Sequence, residues 1–260
     1  MKTWRLCYRS IGLLLVQVVG GFSALLATLV LAPWTGMRLK AVGWLQNQWG
    51  RWCCRILNID IQCEGGAREV GRGALIVSNH VGSTDIMVMA ACFPVIFVSK
   101  SEVRTWPFVG WLTRLAGTIY VDRTRRSQVS GMVRSIAERL RGGFLVSMFP
   151  EGGATSGERV ERFMTSAFEA AVQAARPVIP VMIRYSDEDN SQVAIWRDEV
   201  NFAEHFLALV CHPGLKARVC VLPEISGETD RRILAQKSQH LISDAFERYG
   251  KTIQEQVSKS

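Results

Sequence analysis

Between Ile59 and Leu222 the chain is a series of short apolar runs, separated by stretches whose apolar residues recur every three or four positions. Short runs closed by polar or glycine-rich breaks suit strands buried on both faces, and the longer period suits helices packed on a sheet. The pattern predicts strands at Ile59–Cys63, Ala74–Ser78, Val95–Ser99, Thr118–Val121, Phe144–Phe149, Val178–Arg184, Val193–Trp196 and Ala217–Leu222. It predicts helices at Asp85–Cys92, Pro107–Leu115, Arg125–Arg141, Glu161–Ala175, Phe202–Cys211 and Thr229–Gly250. Such alternation indicates an α/β fold: a mixed, largely parallel sheet flanked by helices, with chemistry at strand ends.

Residues 1–58 follow another pattern. No charge occurs from Ser10 to Met37, and the segment Ile11–Ala32 would make a helix about 33 Å long, enough to span a bilayer. Its apolar region is longer than that of a signal peptide, and no A-x-A site closes it. Positive charge on both flanks leaves open a single span or a hairpin that dips in and returns. From Ala41 to Asn58, Val42, Leu45, Trp49, Trp52, Cys53 and Ile56 recur at helical spacing, and Trp34, Trp44, Trp49 and Trp52 lie beside Arg38, Lys40 and Arg51. That mixture suits an amphipathic helix at a headgroup boundary, the competing reading being a core helix. The expected organisation is therefore an N-terminal helical membrane anchor at 1–58 and an α/β domain at 59–260.

Composition excludes several classes. At 260 residues and 48% hydrophobic, the chain is neither collagen-like, coiled coil nor disordered. The net charge of +8 invites a nucleic-acid reading, but Lys2, Arg5, Arg9, Arg38, Lys40, Arg51 and Arg55 all precede the first acidic residue, Asp60, and the rest is nearly neutral. A basic arm on a neutral body argues against a nucleic-acid face. The seven cysteines include no CxxC pair, so neither structural zinc nor a disulfide framework is expected.

Two constellations carry chemistry. Ser78-Asn79-His80-Val81-Gly82-Ser83-Thr84-Asp85 follows the apolar run 74–77. If the loop bends at Gly82, the Asp85 carboxylate can reach one ring nitrogen of His80 and leave the other as a general base. The alternative is an N-capping aspartate beside a hydrogen-bonded histidine. Phe149-Pro150-Glu151-Gly152-Gly153-Ala154-Thr155 follows the run 144–148. There Glu151 can orient a hydroxyl or headgroup, and Gly152 and Gly153 let backbone N–H groups approach a substrate oxygen. His205, His212 and His240 lack an aspartate at matching spacing, and no G-x-S-x-G elbow is present.

In order along the chain, these blocks resemble the glycerophospholipid acyltransferase family, which includes bacterial 1-acylglycerol-3-phosphate acyltransferases. The NHxxxxD block is Asn79 to Asp85; a second runs from Lys100-Ser101-Glu102 to Gly117-Thr118-Ile119-Tyr120-Val121-Asp122-Arg123; the third is Phe149-Pro150-Glu151-Gly152; the fourth is Pro177-Val178-Ile179-Pro180-Val181. The resemblance covers Ile59 to Tyr185 strongly. It implies transfer of an acyl group from an acyl-carrier-protein or coenzyme A thioester to a lysophospholipid hydroxyl, foremost 1-acyl-sn-glycerol-3-phosphate, giving phosphatidic acid. His80 and Asp85 would be catalytic, and Asn79, Lys100, Arg123, Glu151, Gly152 and Gly153 would bind substrate. Backbone donors near Gly152 or in an Ile179-Pro180-Val181 turn would hold the oxyanion. No metal or bound cofactor is expected; the partners are a lysolipid, the acyl donor and membrane lipids, at the cytoplasmic face of a bacterial inner membrane. One departure bears on the acceptor: where phosphate-binding members commonly read EGTRS, the arginine position is Ala154. Lys100, Arg123, Arg125 or Arg126 would have to replace that charge, which leaves room for a lyso-ornithine lipid or other lysolipid. A non-catalytic membrane lipid-binding protein is the reading from another class, and the intact His80, Asp85 and Glu151 argue against it.

Overall fold

The computed structural model describes residues 2–66, 71, 73–122, 126–187, 192–196 and 200–257. In chain order the elements are α1 (Lys2–Val30), α2 (Thr35–Leu57), β1 (Ile59–Glu64), β2 (Leu75–Ser78), α3 (Thr84–Cys92), β3 (Val95–Lys100), a 3₁₀ turn (Ser101–Thr105), α4 (Val109–Leu115), β4 (Ile119–Val121), α5 (Arg126–Arg141), β5 (Leu145–Met148), α6 (Phe168–Ala174), β6 (Val178–Ser186), α7 (Phe202–Cys211), β7 (Leu215–Val221) and α8 (Arg231–Val257). The seven strands form one sheet in the order β1-β7-β6-β2-β5-β3-β4. All neighbours are parallel except β6 and β7.

Alternating side chains of each central strand enter opposite cores. Leu75, Val77, Val146 and Met182 join the layer that includes α5, α6 and α8, whereas Ala74, Ile76, Val181 and Ile183 join the layer that includes α1, α2, α3 and α7. A strand covered on both faces has no polar side to display, which is why β2 is one unbroken apolar run ending in Ser78. Apolar burial on this scale drives the fold at roughly 25 cal/mol per Å² of surface removed from water.

Two predicted elements differ. Val193–Trp196 is a turn, because its backbone lies on the loop after β2: the Trp196 N–H donates to Val81 O (2.8 Å), and Ala194 O fills the space a side chain at Gly82 would need. The helix expected at Glu161–Ala175 shrinks to Phe168–Ala174. Upstream, the Glu161 and Met164 N–H groups are committed to Glu151 Oε1 and Pro150 O instead of to a helical ladder.

The N-terminal helices lie on the body. Gly50 of α2 crosses against the backbone of Met87 and Ala91, and the Asn47 amide donates to Ala90 O (2.7 Å) and Ala91 O (3.0 Å), serving the open carbonyls at the end of α3. Trp34 at the N-cap of α2, and Trp44 and Trp52 on other parts of it, stay exposed. Along α1, every fourth residue faces inward. Arg5 donates to Cys211 O; buried Arg9 donates to Val210 O, His212 O and Pro213 O; Gln17 accepts from Trp49 Nε1; Gly21 lies against Trp111 and Leu112. The outward side carries Ile11, Leu15, Val18, Phe22, Leu26 and Leu29, all more than half exposed. This helix is long and apolar enough to cross a membrane by length and composition.

Candidate active site

β2 lies between β5 and β6 and runs parallel to both, so the segments leaving these three strands emerge along one edge of the sheet. His80 comes from the end of β2, Glu151 from the end of β5 and Tyr185 from the end of β6. Strand order thus gathers residues that are far apart in the chain.

The turn from His80 to Asp85 brings the expected pair together. His80 Nδ1 lies 2.7 Å from Asp85 Oδ2, the same oxygen accepts from the N–H groups of Val81 (2.7 Å) and Gly82 (3.0 Å), and Oδ1 accepts from the Tyr185 hydroxyl (2.7 Å). A carboxylate only accepts, so Nδ1 carries the hydrogen and Nε2 keeps its lone pair. Asp85 is completely buried, while 17% of the His80 side chain is open to solvent. The imidazole stacks on Phe149, with ring centres 4.1 Å apart and planes 13° from parallel. Ser83, at the N-terminus of α3, makes no side-chain cap bond, and the Asp85 carboxylate bonds to the turn that precedes the helix.

The glycine-rich segment holds the backbone of His80. Glu151 Oε2 accepts from the His80 N–H (2.6 Å) and Oε1 from the Glu161 N–H (2.8 Å), while the Thr155 N–H (2.9 Å) and hydroxyl (3.1 Å) both donate to His80 O. Burial pushes the Glu151 carboxyl up to about 7, against the pull of its two N–H donors. Glu151 is thus a strap across the base of the site, where the sequence suggested a substrate ligand. Asn79 is likewise turned to the sheet: its amide donates to Ile183 O and accepts from Ile183 N–H, both at 2.9 Å, tying β2 to β6. Residues 179–181, expected as a turn near the oxyanion, are central-strand residues in register with 76–78.

Lys100 ends β3, exposed, and a Cβ on Gly153 would lie 3.9 Å from its Nζ, so the predicted cation and the glycine turn do meet. Gly152 has φ +94°, a conformation that a side chain would strain. Arg123 and Arg125 lie outside the described residues, and nothing is described of the Arg126 side chain. His205 stacks on Trp196, and burial lowers its pKa; it belongs to the packing of α7 rather than to the pair. Among the described residues no cluster of His, Cys, Asp or Glu is arranged to hold a metal ion. Sequence reasoning missed the roles of Tyr185, Thr155 and Trp196. For Tyr185 a signal existed: a phenol ending an apolar strand needs a hydrogen-bond partner.

Comparison with known proteins follows the same lines. Residues 60–184 match the family described as Acyltransferase. A lyso-ornithine lipid O-acyltransferase of Rhizobium meliloti is 30% identical over 222 residues, covering 80% of this chain and 74% of that one. One of the same name from Brucella abortus is 31% identical, covering 86% and 91%. A 1-acyl-sn-glycerol-3-phosphate acyltransferase of Neisseria meningitidis is 34% identical over 145 residues, 56% of this chain and 57% of that one. The crystal structure of a 1-acyl-sn-glycerophosphate acyltransferase from Thermotoga maritima superposes with a TM-score of 0.71 at 21% identity, over 96% of this chain and 98% of that one, a likeness of fold.

Proposed function

Since the chain belongs to the acyltransferase family and is an O-acyltransferase, we propose that His80 and Asp85 are its catalytic pair and that it acylates the free hydroxyl of a membrane lysolipid. The observation that carries this reading is the 2.7 Å contact between His80 Nδ1 and buried Asp85, which leaves Nε2 as the acceptor of a proton. Nε2 takes the hydroxyl proton as the lipid oxygen attacks the thioester carbonyl. The tetrahedral oxyanion collapses, the C–S bond breaks, and the imidazolium returns its proton to the departing thiolate. The products are the ester and the free thiol of the carrier, acyl carrier protein or coenzyme A. The acceptor is itself the nucleophile, so no covalent enzyme intermediate is needed. Backbone donors of the glycine turn at 152–153 are the candidates for receiving the oxyanion.

Two acceptors have specific support. Lys100 beside Gly153 offers a phosphate one charge-assisted contact and favours 1-acyl-sn-glycerol-3-phosphate. Ala154 in place of the family's arginine, with relatives that match over most of both lengths, favours lyso-ornithine lipid. The one-sided apolar stripe on α1 and the exposed tryptophans around α2 support attachment to the membrane surface, and a donor made in the cytoplasm, whether acyl carrier protein or coenzyme A thioester, favours the cytoplasmic face.

The test incubates purified enzyme in vesicles with acyl-carrier-protein and coenzyme A thioesters against lysophosphatidic acid and lyso-ornithine lipid, with products read by mass spectrometry. Turnover of at least one lysolipid is expected. His80→Ala should lose about 10²- to 10⁴-fold in kcat with unfolding unchanged, and Asp85→Asn should be severe as well, because an amide can hold the wrong tautomer. Near-normal rates in His80→Ala would sink the assignment. Replacing Lys100 with Met should raise the KM for lysophosphatidic acid far more than that for lyso-ornithine lipid.

A further inference from the structure

Asp85 receives four hydrogen bonds, and three of them are local. His80 Nδ1, Val81 N–H and Gly82 N–H all point at Oδ2 from within one turn. The fourth crosses to the end of β6, where the Tyr185 hydroxyl donates to Oδ1 at 2.7 Å from a position 100 residues further along the chain. A carboxylate turns readily about its terminal torsion, which has broad two-fold wells. Donors crowded on one oxygen leave that rotation weakly held; a donor on the other oxygen fixes the plane.

We propose that Tyr185 is a positioning residue for acyl transfer, its hydroxyl orienting Asp85 so that Oδ2 faces His80 Nδ1. The proposal rests on the reading of His80 and Asp85 as the catalytic pair. Tyr185 draws part of the carboxylate charge onto Oδ1, which keeps Oδ2 from over-stabilising an imidazolium that must form only as the proton is taken. Burial, and then the neighbouring Asp85 charge, raise the Tyr185 phenol well above its ordinary value, so it remains a neutral donor across the working pH range. The other titratable groups facing this cluster are Glu151 on the segment after β5, His205 on α7, and Cys54 and Cys92 on α2 and α3. Glu151 binds the backbone N–H groups of His80 and Glu161 and makes no bond to Tyr185, so its titration is common to wild type and a Tyr185 variant.

The experiment compares wild type, Tyr185→Phe, Asp85→Asn and the double variant. It follows kcat and both KM values from pH 5.5 to 9, together with thermal unfolding. Tyr185→Phe keeps the ring in the core and should fold. It should lower kcat by about 10- to 100-fold, the scale of one hydrogen bond to a charged group. Both KM values should hold within a factor of about two. The acid limb of kcat/KM should move up by about half to one pH unit, because charge concentrated on Oδ2 favours the imidazolium. In the Asp85→Asn background the same change should cost nothing further, since Tyr185 acts through that carboxylate. An unmoved acid limb, or equal losses in both backgrounds, would overturn the proposal and leave Tyr185 as packing. Near wild-type activity in Asp85→Asn would instead overturn the catalytic pair itself.

Discussion

Glu151 illustrates how a single residue can be strained by what it holds in place. Its carboxylate accepts two backbone N–H groups, which favours charge, but burial dominates and lifts its titration from 4.5 to about 7. A group whose folded value is raised binds more protons folded than unfolded between those two limits, so its contribution to stability is present below about pH 4.5 and is lost as pH rises to about 7. Measured by urea unfolding, the stability of wild type relative to Glu151→Gln should therefore fall across that window, by up to about 3 kcal/mol. A difference that does not change with pH would mean that Glu151 titrates in the folded protein as it does in the unfolded chain. Gln cannot accept both N–H groups, so the variant should also loosen the backbone of His80.

At the scale of elements, α1 is held to α7 by charge as much as by packing. Arg9, 2% exposed, serves three carbonyls where α7 ends and the chain turns to β7, and a cation at a helix C-terminus also meets the negative end of the dipole. Replacing Arg9 with Met would strand those carbonyls, at about 1–3 kcal/mol for each left without a donor. Among the described residues Arg5 makes one side-chain hydrogen bond, to Cys211 O. Arg9→Met should accordingly lower the unfolding temperature more than Arg5→Met and speed hydrogen exchange in the last turn of α7. Equal, small effects would show that helix packing alone holds α1. The same clamp sets the course of this helix: with Arg9 pinned to the end of α7 and Gly21 against α4, it lies along the body.

For the whole molecule, the exposed apolar surface comprises the outward stripe of α1 and, around α4, Phe108 and Trp111. A face of this kind suits the headgroup–acyl boundary, the attachment proposed above. Substituting Leu15 and Phe22 together with Glu should release the protein from vesicles containing anionic lipid, as read by sedimentation, and spare turnover of a short-chain soluble acceptor. Undiminished sedimentation would move the attachment elsewhere. Point changes are preferable to removing residues 1–58, because Asn47 and Gly50 are built into the packing of α3, and their loss would open the core.

What could be read from the residues alone was whatever neighbouring positions decide. Alternating apolar runs and helical periods specified the α/β layers, since a two-sided sheet demands strands without a polar face. Phe202–Cys211 begins and ends as its pattern predicts, with Asn201 capping Glu204 N–H. His80 and Asp85 were legible for the same reason: five positions around a bend suffice to bring them together. The tertiary structure alone decided the rest. Glu151 and Thr155 grip His80, Trp196 covers Val81, and Tyr185 holds Asp85, through bonds between segments 71 to 115 positions apart. Which strand ends become neighbours follows from how the sheet's two faces pack, and no local propensity records it. Hydropathy is equally silent on how an apolar helix meets its own protein; for α1 the bonds of buried Arg9 to the end of α7 decide that.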